Sequence, residues 1–296
     1  MNKLLIFDTM HLCYRNHYVF PKLRNSDGVL VGSIFGSLNS IESYSNKYPN
    51  HKMLFCLDTQ PTNRKRIFPD YKANRNEKPE WYLEFITEVN ILKKILKLMN
   101  VVQYKCEGYE ADDIAYYLAE QYKKTYIKGS ECIFITGDKD WLALVNDDYN
   151  ISVIDPNRKI RYRKAETCEH YNIAEPNKVS FYKVLKGDSS DNIKGIYRIP
   201  TKLVIYVVDT YRDVNNLLVN MINDTNIPVK WRQQLDANRD TLYLNEKLIK
   251  LTDIKNPISK IVGKLNEEKL LEYYRELEFK SLIDKIIKNQ FKRGLE

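Results

Sequence analysis

Short apolar runs alternate with longer stretches of helical periodicity through the first half of the chain. Lys3–Phe7 (KLLIF), Lys52–Leu57 (KMLFCL), Val101–Cys106, Cys132–Thr136 (CIFIT) and Ile151–Asp155 read as five strands. Between them, residues 28–48 repeat apolar side chains at Val31, Ile34, Phe35, Leu38 and Ile41. Residues 81–99 carry a broad apolar stripe from Leu83 to Met99, and residues 111–124 read as a further helix. Strands alternating with helices predict an α/β fold, a mainly parallel sheet covered on both faces. From about residue 166 the strand signals stop. Helical segments follow one another over 166–172, 178–186, 201–211 and 214–222. The expected organisation is therefore an α/β core over 1–170 and a helical half over 171–296. One stretch fits neither. Thr59–Glu80 is polar, holds Pro61, Pro69 and Pro79, and has six Lys/Arg against three Asp/Glu. Long connections of this kind are usually functional or disordered.

Composition narrows the class. The 296 residues hold 47 Lys+Arg against 39 Asp+Glu, a net charge of +8, with 43% hydrophobic and 29% charged residues. That is the balance of an ordinary globular protein. No apolar run approaches the roughly 20 residues of a membrane span, and Asp8 interrupts the N-terminal apolar stretch too early for a signal peptide. Five cysteines (Cys13, Cys56, Cys106, Cys132, Cys168) stand singly, which argues against a disulfide framework and a CxxC zinc site and for a reducing cytoplasm. The four histidines are isolated as well.

Acidic residues sit where strands end. Asp8 follows KLLIF and Asp58 follows KMLFCL. Glu110, Asp112 and Asp113 (YEADD) follow the third strand, and Asp138 and Asp140 (TGDKD) follow CIFIT. Two more, Asp188 and Asp191 (GDSSDN), lie in the helical half. An Asp after a strand is commonly a turn or N-cap residue, but in open parallel sheets this edge is where ligands bind. Nine carboxylates gathered there would repel one another strongly unless compensated. Divalent metal is the simplest compensation, and an all-oxygen ligand set favours Mg²⁺ or Mn²⁺ over zinc. A site of this size has room for two ions, an arrangement typical of phosphodiester hydrolysis. With those nine acids set aside the remaining charge is about +17, which suits a nucleic-acid partner.

These residues resemble the 5′-nuclease (flap endonuclease) family, especially its bacteriophage members and the 5′-nuclease domain of DNA polymerase I. The resemblance rests on Asp8, Asp58, the FPDYKANR stretch (Phe68–Arg75), YEADD, TGDKDW, KGDSSDNIKG and LEFKSLI (Leu277–Ile283), in the family's order. It implies a PIN-like core and a helix–three-turn–helix second half. It implies that Asp8, Asp58, Glu110, Asp112 and Asp113 serve one Mg²⁺, and that Asp138, Asp140, Asp188 and Asp191 serve a second, with Mn²⁺ able to substitute. Lys72 and Arg75, three apart and facing one way on a helical turn, would bind the scissile phosphate. Tyr71 offers a ring for stacking an unpaired base, or else anchors the segment. Arg64, Lys65 and Arg66 would guide single-stranded DNA through a helical gateway above the site, while Lys183 and Lys202 match phosphate-contacting positions.

The implied activity is 5′–3′ exonuclease, flap endonuclease and removal of RNA primers from RNA–DNA hybrids during DNA replication, leaving 5′-phosphates. The expected setting is the bacterial or phage-infected cytoplasm, as a monomer, with replication proteins such as a single-strand-binding protein or a clamp as partners. One element departs from the pattern. Where the family's loop carries three glycines, this chain keeps Gly195 but has Arg198 and Pro200, which puts the family's K⁺ and duplex grip in question and leaves Arg198 as a substitute phosphate contact. Two rival readings remain: a PIN-type ribonuclease, and a non-catalytic branched-DNA-binding protein.

Overall fold

The strand β1 (Lys3–Asp8) is buried along almost its whole length, as expected for a strand covered on both faces. It runs at the centre of a seven-stranded sheet in the computed structural model, which describes residues 2–75, 78–251 and 254–287. Helices α1 (Thr9–Val19) and α2 (Gly32–Lys47) follow it, then β2 (Lys52–Cys56), α3 (Thr62–Ile67), α4 (Tyr82–Leu98), β3 (Val102–Lys105), α5 (Ala111–Lys124), β4 (Glu131–Ile135), β5 (Ile151–Asp155) and β6 (Ile160–Tyr162). The sheet order is β6-β5-β4-β1-β2-β3, extended by a strand from near the end of the chain. The five expected strands are present and pair in parallel. Parallel pairing brings their carboxyl ends to one edge.

Two apolar layers cover the sheet. On one side Leu5, Phe7, Phe55 and Ile133 pack with Ile34, Phe85, Leu92 and Ile95 of α2 and α4. On the other, Ile6, Leu54, Phe134 and Val153 meet Ile114, Leu118 and Trp141. That second layer continues into the helical half: α6 (Lys164–Tyr171), α7 (Val179–Lys186), a short hairpin of β7 (Gly187–Asp188) and β8 (Ile193–Lys194), then α8 (Thr201–Thr210), α9 (Val214–Asn220), α10 (Val229–Ala237) and α11 (Arg239–Ile249). One continuous core therefore ties the two halves.

The chain after residue 251 departs from the expected helical layer. Strand β9 (Ser259–Ile261) pairs antiparallel with β3 and closes that edge of the sheet. Helices α12 (Glu267–Glu276) and α13 (Lys280–Ile287) then pack Leu270, Tyr274 and Leu282 into the first layer, under α2 and α4. An open parallel edge leaves unpaired amides and carbonyls, and a terminal antiparallel strand satisfies them. The antiparallel β6 serves the opposite edge in the same way. No helix among the described residues is long and apolar enough to cross a membrane.

Candidate metal centre and active site

Asp8 ends β1, caps α1 by accepting the His11 amide at 2.9 Å, and accepts the Thr136 hydroxyl at 3.0 Å. Burial, then the nearby charges of Asp58 and Asp138, push its carboxyl up to about 7. Asp58, just past β2, accepts the Ala111 amide at 3.0 Å, and burial raises it too. Asp112 lies in the first turn of α5 and accepts the indole N–H of Trp141 at 2.6 Å. Burial, then Asp138 and Asp140, drive it well above the usual carboxylate range. Asp138 opens the 3₁₀ turn 139–144 and accepts the Asp140 amide at 2.9 Å. Asp140 is raised to about 6, first by burial and next by Asp138. One carboxylate oxygen from each of Asp112, Asp138 and Asp140 falls within 4.8 Å of the others. Asp112 and Asp140, crowded and desolvated, hold their charge poorly alone. An all-oxygen donor set of this kind fits a divalent cation such as Mg²⁺.

The remaining acids are handled differently. Asp113 is only 1% exposed, and both of its oxygens take the Arg64 guanidinium, at 2.6 and 2.7 Å. It also accepts the Glu110 amide at 3.2 Å, closing a capping box at the start of α5. Asp113, which the resemblance assigns to the metal set, is held here by Arg64. Arg64 is correspondingly buried, donating also to Glu110 and to the Leu248 carbonyl at 2.9 Å, so it ties α3 to α5 and α11. Tyr71 belongs to the same network. It is 3% exposed and its hydroxyl donates to Glu110 and Asp191, both at 2.8 Å, so its ring is packed rather than open for a base.

Lys72 donates to Glu110 and stands 3.7 Å from Asp191, while Arg75 donates to Asp191 at 2.9 Å. The two cations do converge, but not on a helix. The helix α3 ends at Ile67, and Lys72 has φ +59°, in the left-handed region. Its amide donates to the Asp191 carbonyl, so the segment lies down upon the site. Burial alone would raise Glu110, yet Lys72 and Arg64 hold it below its ordinary value. Lys183 donates to both Asp140 and Asp188. Asp188 also accepts from the amide and hydroxyl of Ser190, and these donors outweigh burial to keep it low.

Lys65, Arg66, Arg198 and Lys202 are exposed. Arg198 has φ +54° and lays its guanidinium over the Tyr197 ring at 5.0 Å, adopting the backbone shape that glycine would take most easily. Gly195 is needed for another reason: a Cβ there would meet the Lys186 carbonyl at 2.1 Å, across the β7–β8 hairpin. Three supporting groups escaped the sequence reading. Thr136 holds Asp8, Trp141 holds Asp112, and the His11 ring accepts the Gly137 amide at 3.1 Å beside Asp138. Each lies in or next to a motif already noticed, in a position where only the fold shows the contact.

A parallel sheet with clustered carboxylates at its carboxyl edge, completed by acids from a helical half, defines a nuclease of the metal-site class. Comparison with known proteins narrows this. The family model for the 5′-3′ exonuclease N-terminal resolvase-like domain matches residues 3–172, and that for the 5′-3′ exonuclease C-terminal SAM fold matches residues 174–270. The 5′-3′ exonuclease of Aquifex aeolicus is 31% identical over the full length of both chains. DNA polymerase I of Caldicellulosiruptor bescii is 29% identical over 96% of this chain but 33% of its own length. The chain therefore belongs to the 5′–3′ exonuclease family and is a phosphodiester-hydrolysing 5′ nuclease. Among solved structures, the bacteriophage T5 flap endonuclease in a complex with DNA and metal ions matches with a TM-score of 0.68 at 20% identity over all of both chains. The flap endonuclease of Methanococcus jannaschii matches with a TM-score of 0.52 at 13% identity, over 93% of this chain and 86% of its own. These likenesses establish the fold.

Proposed function

We propose that the chain is a Mg²⁺-dependent, structure-selective nuclease that cuts DNA at 5′ ends and 5′ flaps and removes RNA from RNA–DNA hybrids. The observation that carries this reading is the convergence of Asp112, Asp138 and Asp140 within 4.8 Å, beside Asp8 and Asp58, in a setting where burial and neighbouring carboxylates raise Asp8, Asp58, Asp112 and Asp140. Asp8, Asp58, Asp112, Asp138 and Asp140 would hold the cations, with Glu110, Asp188 and Asp191 at the rim. A pair of Mg²⁺ ions bound there supplies water activation and neutralises charge on the attacking and leaving oxygens; Mn²⁺ serves the same chemistry.

The chain's own residues do the rest. Lys72 and Arg75 sit where they can exchange Glu110 and Asp191 for the scissile phosphate and stabilise the charge that develops on it. Lys183 can move between Asp140 and substrate in the same manner. Lys65, Arg66, Arg198 and Lys202, all exposed, bind the backbone by contacts independent of sequence. With Arg198 and Pro200 in place of glycine, the duplex grip relies on side-chain cations and not on K⁺.

The test is cleavage of end-labelled flap, nicked and hybrid substrates with and without Mg²⁺, in the wild type and in Asp138→Asn. Metal-dependent products carrying 5′-phosphates, lost in the variant while flap binding in Ca²⁺ persists, are expected. Flap binding without any Mg²⁺-dependent cleavage would select the branched-DNA-binding alternative.

A further inference from the structure

A second cleft lies between α1, α2 and the β5–β6 hairpin, with a volume of about 570 Å³. That is within the size range of small-ligand sites. Its walls carry four basic side chains and no acidic one. Arg161 is committed, donating to Glu131 at 2.6 Å. Arg15, Lys47 and Lys159 make no ion pair among the described residues. Three unpaired cations around one concavity repel each other, and an anion placed between them relieves that repulsion.

The floor is built rather than incidental. Asn16 is 2% exposed and lines the cleft. Its amide nitrogen donates to the Leu12 carbonyl at 2.8 Å, but among the described residues its oxygen receives only contacts of 3.5 Å, from Arg15 and Ser40. Buried polar atoms normally find better partners. Gly36 makes room for it, since a Cβ there would lie 2.6 Å from that oxygen. The tyrosines Tyr44 and Tyr48 stand in the wall with ring planes 13° apart, offering aromatic surface to a flat ring. Cations for a phosphate, a buried amide for a polar edge and aromatic rings for a base together describe a nucleotide.

We infer that this cleft is a binding subsite for a nucleoside 5′-phosphate. It adjoins the acid cluster. Arg15 lies one helical turn after His11, whose ring touches Gly137, next to Asp138, and lies 3.4 Å from the Asn157 amide nitrogen at the head of the β5–β6 hairpin. The choice of ligand rests on the nuclease reading, because such an enzyme meets 5′-phosphates both as released mononucleotides and within a strand.

Calorimetric titration of the full chain with dAMP, inorganic phosphate or a 5′-phosphorylated duplex, all in EDTA, separates these sources. The double variant Arg15→Ala/Lys159→Ala should lose at least about tenfold in affinity for dAMP or for the phosphorylated duplex, and Lys47→Ala a smaller factor. Lys94→Ala/Lys97→Ala, elsewhere on the surface, should change nothing, and thermal melts should confirm that all variants fold. Loss with dAMP identifies the free nucleotide as ligand; loss with the duplex alone identifies a nucleotide of the strand. Unchanged affinity for both overturns the inference, as does inorganic phosphate binding as tightly as dAMP. Because EDTA removes cleavage, a failed activity assay with intact dAMP binding would reject only the proposed function. Cleavage with no cleft-dependent binding would reject only the subsite.

Discussion

The acids at the carboxyl edge of the sheet divide into two groups that solve the same electrostatic problem in opposite ways. Asp8, buried, and Asp112 and Asp140, half-buried, crowd together and are pushed up, Asp8 to about 7 and Asp140 to about 6. Glu110 is also buried, but Lys72 and Arg64 pull it down, and Arg64 grips Asp113 with two short bonds. Proximity in sequence does not decide membership: Asp112 and Asp113 are neighbours, yet their side chains leave α5 in different directions and meet different partners. One group is arranged to receive a cation from solution. The other has received its cations from the chain.

The sharpest way to break this division is Asp112→Asn. It should reduce single-turnover cleavage in Mg²⁺ by about 10³-fold or more, while raising the melting temperature of the metal-free protein by relieving like-charge repulsion. Unchanged turnover would move Asp112 out of the first group. Arg64→Ala tests the other side. It leaves Asp113 buried without a partner and should cost about 3–5 kcal/mol of stability by denaturant titration; a near-neutral result would mean that water replaces the guanidinium easily. Lys72→Ala should slow cleavage by about 10²-fold at saturating substrate. A change in apparent affinity alone would leave Lys72 as a binding residue.

The smallest effect concerns a buried carboxylate that makes no ion pair among the described residues. Glu88, between α4 and the start of α2, accepts the amides of Ser33 and Ile34 at 2.7 and 3.3 Å. Burial pushes it up to about 7. The folded state therefore binds its proton more tightly than the unfolded state, and stability falls as pH rises from about 4.5 to 7. Glu88→Gln should be nearly neutral at pH 5 and stabilising at pH 8, by on the order of 1–3 kcal/mol. An equal effect at both pH values would show that ionisation is not the cause.

The alternation of strands and helices, and the carboxylates at strand ends, were legible because both follow from local periodicity and from the direction of parallel strands. The pairing of those carboxylates was not. Spacing placed Asp113 with Asp112, but only the arrival of Arg64 from α3 separates them. Tyr71 could be read as a stacking ring or an anchor, and the choice depended on Glu110 and Asp191 lying over 30 residues away in sequence. Helix α1 was missed since its inward face carries Asn16 and His17, both buried, instead of an apolar stripe. Strand β9 was missed because three residues in a Lys- and Pro-rich stretch give no period to detect.

That same β9 has a consequence for how the molecule is made. The edge strand pairs Gln103 with Ile261, far apart along the chain, and the two helices that follow it fill the space under α4. The first nuclease layer stays partly uncovered until that later segment folds back onto it. Closure over so long a loop is slow, so this side of the sheet would be completed late in folding.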